Sequence, residues 1–135
     1  MKQIFNTFAT LVAVILLSAC HHDSLADRAE KEVKDYTERY CPTPMTNEQR
    51  TDSITFTRAT NTINYYYTLG GRADNVEVFQ KFKPKLTKIV LQQLKDDTHI
   101  RAYKQAGFSF HYVFRSLSTG DVLLEKTFTK RQYLK

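Results

Sequence analysis

One stretch constrains this chain more than any other. Phe108, Phe110, Tyr112 and Phe114 take every second position, with Ser109, His111, Val113 and Arg115 between them. Side chains alternate across a strand, so this spacing puts four aromatic rings on one face and a mostly polar row on the other. Such a strand belongs in a sheet with one face buried. Val122 to Thr129 is its expected partner. A three-residue turn of Ser118, Thr119 and Gly120, with Gly120 left-handed, sets Phe114 opposite Leu124 and Phe110 opposite Phe128. A two-residue turn at Thr119-Gly120 would instead oppose Phe114 and Glu125, mismatching the faces. The chosen register leaves Lys126 in the core-facing row, a position that suits a sheet edge.

A second hairpin is expected upstream. Ile54 and Phe56 alternate with Ser53, Thr55 and Thr57, and Ile63, Tyr65, Tyr67 and Leu69 alternate with Thr62, Asn64, Tyr66 and Thr68. A two-residue turn at Thr60-Asn61 would face Phe56 with Tyr65 and Ile54 with Tyr67. Gly70-Gly71 ends the second strand.

Helical spacing flanks the first hairpin. Leu25, Ala29, Val33, Tyr36 and Tyr40 recur at steps of three and four between charged residues, so Leu25 to Tyr40 reads as an amphipathic helix. Glu30 with Lys34 and Asp35 with Arg39 have the spacing of helical ion pairs. Cys41-Pro42-Thr43-Pro44 ends it. Beyond the hairpin, Phe79, Phe82, Leu86, Ile89, Val90 and Leu94 share one arc, and Pro84 predicts a helix start or a kink there. A short helix from about Thr98 to Ala106 follows, capped by Asp97 or Thr98 and stopped by Gly107. The order α-β-β-α-α-β-β gives an α+β fold: a four-stranded antiparallel sheet of two hairpins, with the helices packed on its aromatic face. The bulky aromatics predict a filled core.

The N-terminal segment addresses the chain. Lys2, an apolar run from Phe8 to Leu17 of about ten residues, and small residues after it have the layout of a secretory signal, well short of a membrane span. Leu17-Ser18-Ala19-Cys20 resembles the lipobox of bacterial lipoproteins. The resemblance implies cleavage after Ala19 and lipidation of Cys20, hence a membrane partner through the lipid. Residues 1–19 are then signal, 20–24 the lipidated cysteine and tether, and 25–135 a single α+β domain. Residue 21 is histidine rather than the aspartate that resembles an inner-membrane retention signal, which points to the outer membrane. Removing residues 1–19 takes away Lys2 and leaves 116 of 135 residues, with 19 basic against 14 acidic side chains, a net of +5. That size suits one core. Cys41 then lacks a partner in the mature chain and is buried, paired with another molecule, or reactive. His21, His22 and Asp23 could bind a metal ion, but no further ligand is placed by sequence, and a solvated tether is the simpler reading.

Cys41-Pro42, Arg50-Thr51-Asp52-Ser53, Tyr65-Tyr66-Tyr67-Thr68-Leu69 and Gly107-Phe108-Ser109-Phe110-His111-Tyr112 resemble small uncharacterised envelope proteins of Gram-negative bacteria. The resemblance implies a location and no activity. Ser109 and His111, with Asp52 and Ser53, could be assembled into a nucleophile and base, but the chain has no nucleophile elbow or glycine-rich phosphate loop. Arg50 and Asp52 fit a local ion pair better. No cofactor is implied. Two surfaces are binding candidates. One is the outer sheet face with Tyr66, His111 and Arg115. The other is the row Lys81, Lys85 and Lys88 on the second helix, with Lys95, Arg101 and Lys104 beyond, which could meet anionic headgroups or an acidic partner. The compartment and the lack of a stacking groove argue against nucleic acid. The expected function is a lipid-anchored protein that binds another envelope protein. An enzyme with an unrecognised Ser/His/Asp cleft and a small-ligand carrier are the alternatives. Oligomeric state is left open by the sequence.

Overall fold

The computed structural model describes residues 22–134. Cys20, His21 and the signal segment lie outside the described residues. Helix α1, Leu25–Tyr40, has the boundaries its periodicity predicts. Ser24 caps it: its hydroxyl accepts from the Asp27 amide at 3.1 Å, while the Asp27 carboxylate accepts from the Ser24 amide at 2.9 Å. Glu30 turns to Arg58 rather than to Lys34, and Arg58 also meets Asp27 at 2.9 Å. This ties the start of α1 to the turn between the first two strands.

Those strands are β1, Gln49–Thr57, and β2, Thr62–Leu69. They pair antiparallel, but the expected register is corrected by two residues: Phe56 opposes Ile63 and Ile54 opposes Tyr65. The connection is a 3-10 turn over Arg58–Thr60 followed by Asn61 at φ 46°, a left-handed conformation that asparagine tolerates. Because the slip is even, every side chain keeps its face. The edge of β1 is closed by the chain before it. The Thr37 hydroxyl donates to the Ile54 carbonyl at 2.7 Å and accepts from its amide at 2.9 Å, and Thr43 does the same for Thr51 through its hydroxyl and amide.

Helix α2, Val76–Asp96, is continuous through Pro84, so the helix does not start there and the proline lies inside it. Asn75 caps it, accepting from the Val78 amide at 3.1 Å. The short helix α3, Arg101–Gln105, precedes β3, Ser109–Ser116, and β4, Val122–Phe128. The second hairpin has the expected pairs, Phe110 with Phe128 and Phe114 with Leu124, and Gly120 is left-handed at φ +76°. Leu123 is the extra residue of a bulge, since Phe114 opposes Leu124 while Arg115 opposes Val122. Lys126 stands in the inner row of β4, an edge strand, and an inward charge beside a bulge discourages a foreign strand from adding there. A one-turn helix α4, Lys130–Tyr133, ends the fold.

The sheet order is β1-β2-β3-β4, and the all-antiparallel expectation is corrected: β2 and β3 run parallel. The reason is length. Helix α2 has 21 residues and spans about 31 Å at the helical rise, whereas the eight residues of β2 span about 26 Å. One traversal of α2 returns the chain to the end where β2 began. Helix α3 is too short to reverse it again, so β3 starts beside Thr62 and runs with β2.

The core lies between the sheet's inner face and the helices. Phe110 and Ala29 are fully inaccessible, and Phe79, Ile63, Leu94 and Phe128 are nearly so. Lys104 does not belong to the exposed basic row. It is 8% exposed, and its ammonium donates to the carbonyls of Leu94 and Lys95, both at 2.8 Å, closing the C-terminal turn of α2. Lys104→Met keeps the stem and removes the donors. It is expected to lower the unfolding free energy by about 1.5–3 kcal/mol, measured as an earlier urea midpoint at unchanged slope; an unmoved midpoint would assign the helix end to other contacts.

Candidate functional site

Helix α1 packs over β1, and α2 reaches across to β4. Between them the inner faces of β2 and β3 are not fully covered. A groove of about 270 Å³ remains, lined by Tyr65, Tyr67, Tyr112 and Phe114 from the sheet and by Leu86, Ile89, Val90, Gln93 and Leu94 from α2, with Gln49 and Asp97 also at its walls. The expectation of a filled core is therefore corrected. The floor is built of stacked ring pairs: Tyr65 stacks on Tyr112 at 4.9 Å between ring centres, and Tyr67 on Phe114 at 5.0 Å, with interplanar angles of 9° and 20°. Parallel rings this close must lie face to face, so their faces are turned toward one another rather than toward the helices.

The floor is polar at its tips. No hydrogen bond among the described residues engages the hydroxyl of Tyr65, Tyr67 or Tyr112. Burial, with smaller contributions from Tyr36 and Cys41, pushes the Tyr67 phenol up to about 12. Burial likewise raises Tyr65 and Tyr112 well above the ordinary phenol range, and the nearby Asp97 carboxylate adds to both. All three stay neutral at physiological pH, each with a donor and an acceptor to offer. Ile89 and Phe82, one above the other on α2, remain more than a third exposed, as do Tyr36 and Tyr40 on α1, whose rings lie 5.2 Å apart.

The residues singled out by sequence fall elsewhere. Lys81, Lys85 and Lys88 are exposed on the solvent side of α2, with the Lys85 ammonium 5.9 Å from the Phe82 ring centre. Tyr66, His111 and Arg115 share the outer sheet face, on the opposite side of the sheet from α2. Tyr66 meets the His111 ring edge-on at 6.4 Å, while Arg115 donates to the Gly120 carbonyl at 3.2 Å. The His111 ring nitrogens contact Asn64 Oδ1 at 3.1 Å and Glu125 Oε1 at 2.9 Å. Asp52 accepts from Arg50 at 2.7 Å and from the Thr68 hydroxyl at 2.6 Å. Histidine and aspartate are thus engaged in separate polar pairs, and Ser109, His111 and Asp52 are not assembled as nucleophile, base and orienter. The expected Arg50–Asp52 pair is present. Cys41 is partly buried, and burial raises its thiol above the usual range.

Sequence reasoning missed the groove. A signal was present: three inner-row positions carry tyrosine where phenylalanine or leucine would pack as well without a hydroxyl needing a partner.

The sequence profile of a domain of unknown function, DUF8479, matches residues 24–124. The chain belongs to this family. The DUF8479 domain therefore spans the structure from the cap of α1 into β4. No curated protein matches the chain in sequence. Three solved structures share the fold of this DUF8479 chain. A protein of Pseudomonas aeruginosa described as secreted superposes with a TM-score of 0.62 at 15% identity, covering 82% of this chain and 97% of that one. The pilotin EpsS of the Vibrio vulnificus type 2 secretion system gives 0.61 at 12% identity, and the type II secretion system pilotin AspS of Vibrio cholerae gives 0.58 at 13%. Both alignments cover 78% of this chain and 88% of the pilotin.

Proposed function

We propose that this chain is a lipid-anchored protein of the cell envelope, held in the outer membrane through Cys20, that works by binding a segment of another envelope protein in the groove between α2 and the sheet. The observation that carries this reading is the groove itself: an aromatic floor from β2 and β3 left open beside α2, whose exposed Ile89 stands in its wall. Apolar side chains left at solvent beside a concave, pre-formed surface suit an amphipathic segment laid along it. The fold shared with two pilotins supports a protein partner, with a secretion-system component as the first to examine. The outer-face group Tyr66, His111 and Arg115 is proposed as a secondary surface, and the row Lys81, Lys85 and Lys88 as the contact to anionic headgroups.

The test is affinity purification of the full-length protein from its own envelope at low and high salt. A protein partner surviving high salt is expected, because apolar burial is not screened. Ile89→Arg should lower its recovery roughly ten-fold or more, the scale of losing a central contact. Exchanging Lys81, Lys85 and Lys88 for glutamate should leave that recovery unchanged. Full recovery with Ile89→Arg would remove the groove from the interface.

A further inference from the structure

We propose that the segment received by the groove carries a basic side chain, arginine or lysine, that seats against Asp97 and the hydroxyls of Tyr65 and Tyr112. This rests on the groove being the protein-binding site and adds the chemistry of its occupant. Among the described residues, Asp97 is the only one lining the groove, besides the tyrosines, that ionises. It stands at the C-terminus of α2, where Oδ1 accepts from the His99 amide at 2.8 Å. No ion pair among the described residues engages it, and the nearby Lys104 ammonium is spent on the Leu94 and Lys95 carbonyls. Tyr112 is 8% exposed yet lines the groove with its hydroxyl unpartnered. A carboxylate oxygen and two phenol oxygens are a set of acceptors, which matches a cation and above all a guanidinium with its fork of donors. A purely apolar occupant would bury these hydroxyls without partners, and an acidic one would face Asp97 with like charge. The rest of the wall, Leu86, Ile89, Val90 and Phe114, is apolar, so the cation is one side chain of an otherwise amphipathic segment. Although the mature chain is basic overall, Lys81, Lys85 and Lys88 do not line the groove, and its local charge is negative.

The experiment uses the full-length, membrane-anchored protein in its own cells, with a photo-crosslinking benzoylphenylalanine at Phe82, an aromatic-for-aromatic exchange at an exposed position two turns along α2 from Ile89. The crosslinked peptide is sequenced. It is expected to come from a second protein and to hold apolar residues on one face together with a lysine or arginine. Asp97→Asn preserves an acceptor for the His99 amide and is expected to lower the crosslink yield roughly ten-fold, as for loss of one member of a charge pair. Asp97→Lys should abolish it, and glutamate in place of the partner's basic residue should restore it. A protein crosslink whose yield is unchanged by Asp97→Asn, or whose peptide lacks a basic residue, overturns this inference and leaves the groove reading standing. Crosslinks to lipid only, to a second copy only, or to nothing overturn the groove reading itself.

Discussion

Phe110→Ala is expected to lower the unfolding free energy by about 3–5 kcal/mol. Phe110 has no accessible surface, stands between Ile63 and Phe128 in the inner row, and meets the Tyr133 ring edge-on at 5.5 Å. Tyr133 is itself held: its hydroxyl donates to the Phe108 carbonyl at 2.6 Å. Neighbours tethered in this way cannot collapse into the space left by the ring, so the cavity term adds to the lost transfer energy. Thr127→Ala, in the outer row of the adjacent strand, should change stability by less than about 0.5 kcal/mol. Chemical denaturation of the two variants measures the contrast. A loss below about 1 kcal/mol for Phe110→Ala would reverse the assignment of inner and outer faces.

Cys20→Ala is expected to abolish stable membrane attachment or to stop maturation. Two or three acyl chains, at about 0.8 kcal/mol per buried methylene, hold a protein on a bilayer where one chain does so only reversibly. Among the described residues no helix is long and apolar enough to cross a membrane. The tether from Cys20 to the cap of α1 is four residues, reaching about 14 Å when extended, so the domain would work close to the bilayer. Membrane flotation and the mobility of the processed form are the readouts. Unchanged flotation together with normal maturation would sink the lipoprotein reading.

Much of the local structure was legible in the residues because it is decided locally. The step of three and four from Leu25 to Tyr40 gave α1 its full length, and alternation with Gly120 at a left-handed turn gave the second hairpin its register. The first hairpin slipped by two because its connection is not a two-residue turn but a 3-10 turn over Arg58–Thr60 closed by left-handed Asn61. Lys104 read as another exposed lysine because sequence spacing does not show that α3 folds its ammonium onto the end of α2. The paper triad of Ser109, His111 and Asp52 dissolved for a similar reason: His111 is engaged by Asn64 and Glu125 and Asp52 by Arg50 and Thr68, in separate places on the sheet.

The sequence by itself determined which residues face inward, since a period of two or of 3.6 is a property of each element alone. It determined α+β composition and the order of elements for the same reason. Only the tertiary structure decided the direction of β3 against β2, because that depends on the length of α2 measured against the sheet it must cross. It alone decided the groove as well. Whether stacked rings fill the space beneath two helices depends on where each helix comes to rest over the sheet, and that separation is set jointly by contacts on strands at opposite edges.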